Sequence, residues 1–383
     1  MLRLLALLLP LSLPALGGCA LELALDDPPR SISLPAGETV LPTRWVQDMP
    51  LVQVVLEGHG PYEFLIDTGS SATILSKRVA DEAGLEPLAG AAYAMGAHGD
   101  IVGTSDLRRV ETLEIGPCRF RDSAVLVLDL EPLRRSFQVP FDGILGYPMF
   151  METTWTLDYP RRQVILGTPP LDPPDGREIL PLPPRSPRPD LLVPLGDATH
   201  RFLLDSGSND AISLRGGVGE YVFREFPVFA EVTGSISGNL TLARIGRLSD
   251  SLRLGEHEIE SPLASIDAEG QRIGSRILKH FEITFDPPRD RIRIRRDPAE
   301  KVKLDGIRGT GAFVQRYGEH WEVFHVVHAT PAERAGLRPG DRVLRRTDVP
   351  GEHHDSPRAA VVYRIERDGA ARDVRVPVES LVP

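Results

Sequence analysis

The 383-residue sequence predicts an all-β chain of two related halves, followed by a small α+β segment. Three observations lead there. A short pattern of apolar run, aspartate, hydroxyl residue, glycine and second apolar run occurs twice. A proline-containing hairpin pattern also occurs twice, once downstream of each aspartate. The C-terminal stretch carries a short helix signal between glycines and two closing runs of alternating hydrophobicity.

Composition narrows the function classes. Hydrophobic residues make up 41% and charged residues 26% of the chain, which is the balance of a soluble globular protein. Its length predicts two or three domains. The formal net charge of −10 argues against a nucleic-acid partner, because no basic stripe offsets phosphate charge. The densest basic cluster, Arg293-Ile294-Arg295-Arg296, is short, has acids nearby and reads as surface.

The N-terminus reads as an export signal. "MLRLLALLLPLSLPALGGCA" has one basic residue (Arg3), an apolar core and a small-residue end, and is too short and proline-broken to span a membrane. Its ending, Leu16-Gly17-Gly18-Cys19, resembles the bacterial lipobox, in which the cysteine is acylated and becomes the new N-terminus. The expectation is a signal peptide over 1–18, lipidation at Cys19 and a tether over 19–37. That implies a bacterial cell envelope location, lipid-anchored and facing the periplasm or exterior. Ordinary cleavage nearby, with Cys19 a bystander, is the competing reading. With Cys19 lipidated, Cys118 is the sole remaining thiol and no intramolecular disulfide forms.

The duplication carries the functional argument. "FLIDTGSSATILS" (Phe64 to Ser76) is copied by "RFLLDSGSNDAISL" (Arg201 to Leu214), with the aspartates 205 − 67 = 138 positions apart. Further along, "GYPMFMETTWTLDYPRRQVIL" aligns without a gap on "GSRILKHFEITFDPPRDRIRI". Gly146 falls on Gly274 and Asp158 on Asp286, both at an offset of 128. Alternating runs around a Pro turn predict a β-hairpin in each copy, with Asp158 and Asp286 as acceptors that stabilise the turns. The segment 169–189 between the halves is too Pro-rich for a continuous core element and reads as a linker.

Asp67-Thr68-Gly69-Ser70 and Asp205-Ser206-Gly207-Ser208 resemble the signature of aspartic proteases. Ile144-Leu145-Gly146 resembles that family's second marker, an apolar-apolar-glycine strand behind the catalytic loop. Each half has the size of a retroviral-type lobe, so the chain resembles a bacterial retropepsin-like protease with both lobes in tandem. The resemblance implies a bilobal aspartic-protease fold, with lobes over 38–168 and 190–298. One Asp-Thr-Gly is a weak signal, and two with matching downstream glycines are a strong one.

The resemblance also assigns roles. Asp67 and Asp205 become the catalytic pair: two carboxylates about 3 Å apart share one proton, so one activates water while the other polarises the scissile carbonyl. Gly69 and Gly207 let the two loops turn sharply and approach, and the hydroxyls of Thr68 and Ser206 would bond across the interface. Met95, Gly96, His98 and Gly99 lie where the family has its flap. An ordinary surface hairpin is the equal alternative, and Tyr93 is a loose match for the pepsin-like flap tyrosine. The second copy departs from the pattern. It reads Arg272-Ile273-Gly274 in place of a fully apolar triplet, and Asn209 and Asp210 add polarity; Asp210 either perturbs the pair or points to solvent.

Residues 299–383 resemble a PDZ-like domain. "ATPAERAGLRPGDRVLRR" supplies a Pro-started helix (Pro331 to Ala335) ending at Gly336, and "GTGAFV" sits where a carboxylate-binding loop precedes a strand. Little room remains after Val349 for the second helix that walls such a groove. A positioning module is therefore preferred over capture of a peptide C-terminus. No metal or cofactor is expected, since His325 and His328 point to opposite faces of a strand and His353-His354 lie in a polar loop. The expected activity is aspartic endopeptidase action on peptide or protein substrates. The alternatives are a non-catalytic peptide-binding envelope protein on the same scaffold, or a homodimeric protease using only the Asp67 lobe.

Overall fold

The structure is a computed structural model that describes residues 28–89, 92–95, 101–104, 106–137, 139–224, 229–234, 240–266, 270–296, 302, 304–317, 319–349 and 360–382. Cys19, with the rest of residues 1–27, lies outside the described residues. The described chain is nearly all β, with four short α-helices, none of them long and apolar enough to cross a membrane.

Each half centres on one strand that ends at its aspartate. In the first, His59–Asp67 pairs antiparallel with Met49–Leu56 and parallel with Gly143–Gly146, placing Gly146 opposite Asp67. Ile74–Ser76 then pairs with Gly143–Gly146 on one side and with Cys118–Leu128 on the other. The apolar run before Asp67 is buried on both faces, which is why it does not alternate with polar residues. Phe64 and Ile66 enter the main core, while Leu65 enters a second cluster with Ile74, Leu126 and Ile144.

The second half repeats this neighbour order. Ala198–Leu204 pairs with Asp190–Leu195 and, in parallel, with Arg272–Ile273. Ile212–Leu214 lies between Arg272–Ile273 and Leu263–Ile266.

The two predicted hairpins form, and they join edge to edge. Trp155–Asp158 pairs with Gln163–Leu166, and Glu282–Asp286 pairs with Arg291–Arg295. Trp155–Asp158 also pairs with Glu282–Asp286, setting Trp155 opposite Phe285 and Leu157 opposite Ile283 in one six-stranded sheet. Stacked rings of Trp155 and Phe285, 4.6 Å between centroids, cross that junction, and the hydroxyls of Thr156 and Thr284 meet at 2.8 Å. Both turns place a residue at positive φ at the same duplicated position, Arg162 (53°) and Asp290 (54°). Asp158 accepts from its own turn, at Arg161 N–H (3.0 Å). Asp286 instead bonds across the junction, accepting from Thr154 Oγ1 (3.2 Å) and Leu171 N–H (2.9 Å), with only Arg289 from its own turn.

Two segments read as connectors also contribute strands. Within the tether, Ser31–Ser33 lines the edge of Cys118–Leu128. Within the Pro-rich linker, Ile179–Pro181 pairs with Arg291–Arg295 at the edge of the six-stranded sheet, and the other edge is Thr39–Leu41. Edge positions tolerate proline, because only one side of the strand needs N–H donors.

The tail forms a five-stranded sheet, Ala312–Tyr317, His320–Val326, Arg342–Val349, Ala360–Arg367 and Ala370–Pro377 in that order, around its own core of Val323, Ala332, Leu337, Tyr363 and Ile365. The helix Pro331–Arg334 ends at Ala335, and Gly336 adopts the left-handed φ of 78° that closes it. Residues 350–359, which hold His353 and His354, lie outside the described residues. The tail is not a loose appendage. Val302, Val327 and Val382 are buried in the same apolar cluster as the second half, and Arg247 Nη2 donates to Leu304 O at 2.7 Å.

Candidate active site

The two aspartate loops lie against each other, and small residues make that possible. A Cβ on Gly69 would sit 2.5 Å from Asp205 Cγ, and a Cβ on Gly207 would sit 2.5 Å from Asp67 Cγ. Each loop therefore presents a glycine to the opposite carboxyl group, where any side chain would collide. Each aspartate is also fixed by its own loop: Gly69 N–H donates to Asp67 Oδ1 (2.8 Å) and Gly207 N–H to Asp205 Oδ1 (3.0 Å).

Thr68 and Ser206 join the loops. Thr68 Oγ1 donates to Leu204 O (2.7 Å) and accepts from Ser206 N–H (2.9 Å). Ser206 Oγ donates to Ile66 O (2.9 Å) and accepts from Thr68 N–H (3.0 Å). Ser70 and Ser208 tie each loop to the strand behind it, their carbonyls accepting from Tyr147 N–H (3.0 Å) and Ser275 N–H (2.8 Å). The strand glycines fit for the same reason as the loop glycines. A Cβ on Gly146 would lie 2.3 Å from Ala72 O, and one on Gly274 would lie 2.5 Å from Asp210 O.

Asp67 and Asp205 are close enough for each to influence the other's proton affinity. Burial pushes Asp67 well above the ordinary aspartate range, and the charge of Asp205 adds to the effect. Burial also raises Asp205, but the guanidinium of Arg272, with Nε 3.8 Å from Asp205 Oδ2, pulls it back. The two aspartates thus have unequal surroundings.

Three residues at the site drew no role, or only a doubtful one, from the sequence. Tyr159, from the first hairpin turn, is buried, packs edge-on against Trp45 at 5.1 Å and feels the charges of both aspartates. No sequence signal separated it from other hairpin residues. Arg272 stood out only as a break in an apolar triplet; it is 5% exposed. Asp210 accepts from Ser213 Oγ at 2.6 Å, so it joins a buried network.

Of the flap candidates, Met95 ends the strand Ala92–Met95, which pairs antiparallel with Ile101–Thr104. Gly96, His98 and Gly99 lie outside the described residues. A hairpin occupies the corresponding place in the second half, Phe229–Gly234 with Leu240–Arg247. His328 does not meet His325 as a ligand pair: its Nδ1 lies 3.1 Å from Glu333 Oε1. Among the described residues, no cluster of three or more His, Cys, Asp or Glu side chains could hold a metal ion.

Residues 52–149 match the family model described as aspartyl protease. No curated protein matches the chain. The aspartyl protease match covers Asp67-Thr68-Gly69, the strand pair around Met95 and Ile144-Leu145-Gly146, and it ends before Asp205. It supports a hydrolase of the aspartic-peptidase type.

Proposed function

We propose that the chain is an aspartic endopeptidase whose two lobes each contribute one catalytic residue, Asp67 and Asp205, to a shared cleft. The observation that carries this reading is the reciprocal fit of the loops, each glycine standing against the opposite carboxyl group. Such an approach serves no packing purpose, since two carboxyl groups forced together raise each other's proton affinity.

The chemistry follows from a singly protonated pair. A water between the carboxyls loses a proton to the ionised aspartate as its oxygen attacks the peptide carbonyl carbon. The protonated aspartate donates a hydrogen bond to the carbonyl oxygen as that oxygen takes up the π electrons. Collapse of the tetrahedral intermediate breaks the C–N bond as the aspartate that took the proton from water returns it to the leaving nitrogen. The pair is again singly protonated, and no covalent enzyme intermediate is needed.

The matching strand pairs at Ala92–Met95 and Phe229–Gly234 suit closure over an extended peptide. The PDZ-like tail fits a positioning role, because it shares core with the second lobe. Lipidation at Cys19 would hold the enzyme at an envelope membrane; mass analysis of the mature N-terminal peptide tests that directly.

The deciding experiment is peptide hydrolysis across pH by the parent, Asp67→Asn and Asp205→Asn. Loss of cleavage in both variants supports one intramolecular pair. Loss in Asp67→Asn alone favours a homodimer of first lobes. Absence of cleavage by the parent at every pH favours a non-catalytic peptide-binding protein.

A further inference from the structure

The halves differ most beside their aspartates. In the first, Ile144 pairs with Ile74, and Ile74 pairs with Leu126 on the next strand. All three belong to one buried apolar cluster with Leu65 and Ala72. In the second, the same row of the sheet reads Arg272, Ser213 and Ser265. Leu203 stands beside Arg272 as Leu65 stands beside Ile144, while the next strand is shifted by one residue, so that Ser213, and not the Ile212 that the duplication matches to Ile74, takes the place beside Arg272. Where the first half has three apolar side chains in this row, the second has a cation and two hydroxyls.

These replacements are connected. Arg272 Nη2 donates to Ser213 Oγ at 3.4 Å, and Ser213 Oγ donates to Asp210 Oδ2 at 2.6 Å. Ser265 Oγ lies 3.1 Å from Ser213 Oγ. Arg272, Ser213 and Ser265 are all buried, at 5%, 0% and 2% exposure. A guanidinium so placed loses most of its hydration, and anions must offset the loss. Among the described residues, Asp205 faces the guanidinium directly and Asp210 is linked to it through Ser213. An arginine substituted alone into an apolar row would lack this support; the linked serines and Asp210 are what a retained buried charge requires.

Resting on the endopeptidase reading above, we propose that Arg272 is a positioning residue that assigns the proton within the pair, keeping Asp205 ionised as the base and leaving Asp67 protonated as the acid. The surrounding charges agree. The main influences on Asp67 are burial and the charge of Asp205, both of which favour its protonated form. On Asp205, Arg272 opposes burial, while Asp210 acts weakly the other way. Asp48, whose charge reaches Tyr159, is itself paired with Lys279 at 3.5 Å. Burial pushes the Tyr159 phenol up, so it stays neutral beside the pair.

The test uses the full chain with ¹³C-labelled aspartate carboxyls, assigned through the two Asn variants, together with the pH profile of kcat/KM. In the parent, Asp205 should ionise before Asp67. Arg272→Ile, which installs the residue found at the matching first-half position, should raise the Asp205 midpoint by about 1–3 units. The acid limb of the rate profile should move to higher pH by the same amount. Arg272→Lys keeps the charge and should restore most of both, with KM changing less than kcat. Arg272→Ile combined with Asp210→Ala, Ser213→Ile and Ser265→Leu rebuilds the apolar row and guards against simple misfolding; it should titrate like Arg272→Ile. The proposal is overturned if Asp67 ionises first in the parent, or if the folded variants leave the Asp205 midpoint unmoved. It is also overturned if KM rises while the profile stays in place, since Arg272 would then contact substrate. A parent that titrates as expected but cleaves nothing sinks the endopeptidase reading and leaves the proton assignment standing.

Discussion

Thr68 and Ser206 hold each other through reciprocal hydrogen bonds, each hydroxyl donating to the carbonyl just before the other's aspartate. Both residues are essentially inaccessible to water, at 1% and 0% exposure. Thr68→Val keeps the shape but strands the Leu204 carbonyl and the Ser206 N–H in a dry environment. A cost of roughly 1–3 kcal/mol for each stranded group is expected. Ser206→Ala should cost a similar amount, through the Ile66 carbonyl and the Thr68 N–H. Urea denaturation of both variants reads the result, and midpoints equal to the parent's would show that the cross-bonding does not stabilise the fold.

The aspartate pair should make the protein less stable as pH rises. Asp67 holds its proton in the folded state above the ordinary aspartate value of 3.8, while the unfolded chain releases it there. Between that value and the folded one the native state binds more protons, so unfolding free energy falls with pH, by up to about 1.4 kcal/mol per unit. Asp67→Asn removes this slope. The variant should gain on the parent steadily above pH 4 and show no gain below it, with the difference in denaturant midpoint measured at each pH. A constant difference across the range contradicts the account.

Gly69→Ala tests the close approach of the loops. The added methyl would sit 2.5 Å from Asp205 Cγ, so the carboxyls must separate. Overpacking of this kind costs about 1–3 kcal/mol of stability. A displacement of about 1 Å at a reacting centre can lower kcat on the order of 100-fold. Gly207→Ala should behave alike, through Asp67. Wild-type kcat in either variant would mean that the loops have slack the geometry does not suggest.

Removing the tail should destabilise the second half rather than release an independent body. Ending the chain after Arg296 deletes Val302, Val327 and Val382, which are buried in the shared cluster, and uncovers their partners. Full burial of one such side chain is worth about 1.5–3 kcal/mol, so the loss is several kcal/mol. The truncated chain should melt at a clearly lower temperature or precipitate on expression. An unchanged Tm would make the tail separable.

Much of this was readable from the chain because duplication repeats its signals. The Asp-Thr-Gly and Asp-Ser-Gly loops, both Pro-turn hairpins and the tail strands after Gly340 each have local chemistry that fixes a turn or an alternation. What escaped notice depended on partners far away in sequence. Ser31–Ser33 has no pattern of its own and is a strand only because Cys118–Leu128 offers an edge. Asp286 has the look of a turn acceptor, yet it bonds Thr154 from the other half and Leu171 from the linker. Arg272 and Asp210 each stood out as departures, and sequence alone gave no means of seeing that Ser213 links them and that Ser265 joins the same network.

Both aspartates belong to a single polypeptide, and this has a bearing on ancestry. In an assembly of two identical subunits, any mutation near one aspartate appears near its twin as well. A cation introduced there would be present twice, and the pair would remain equal. A gene that encodes both sites can alter one and preserve the other. The row Arg272, Ser213 and Ser265, where the first half has Ile144, Ile74 and Leu126, is the kind of asymmetry that only such a gene can inherit.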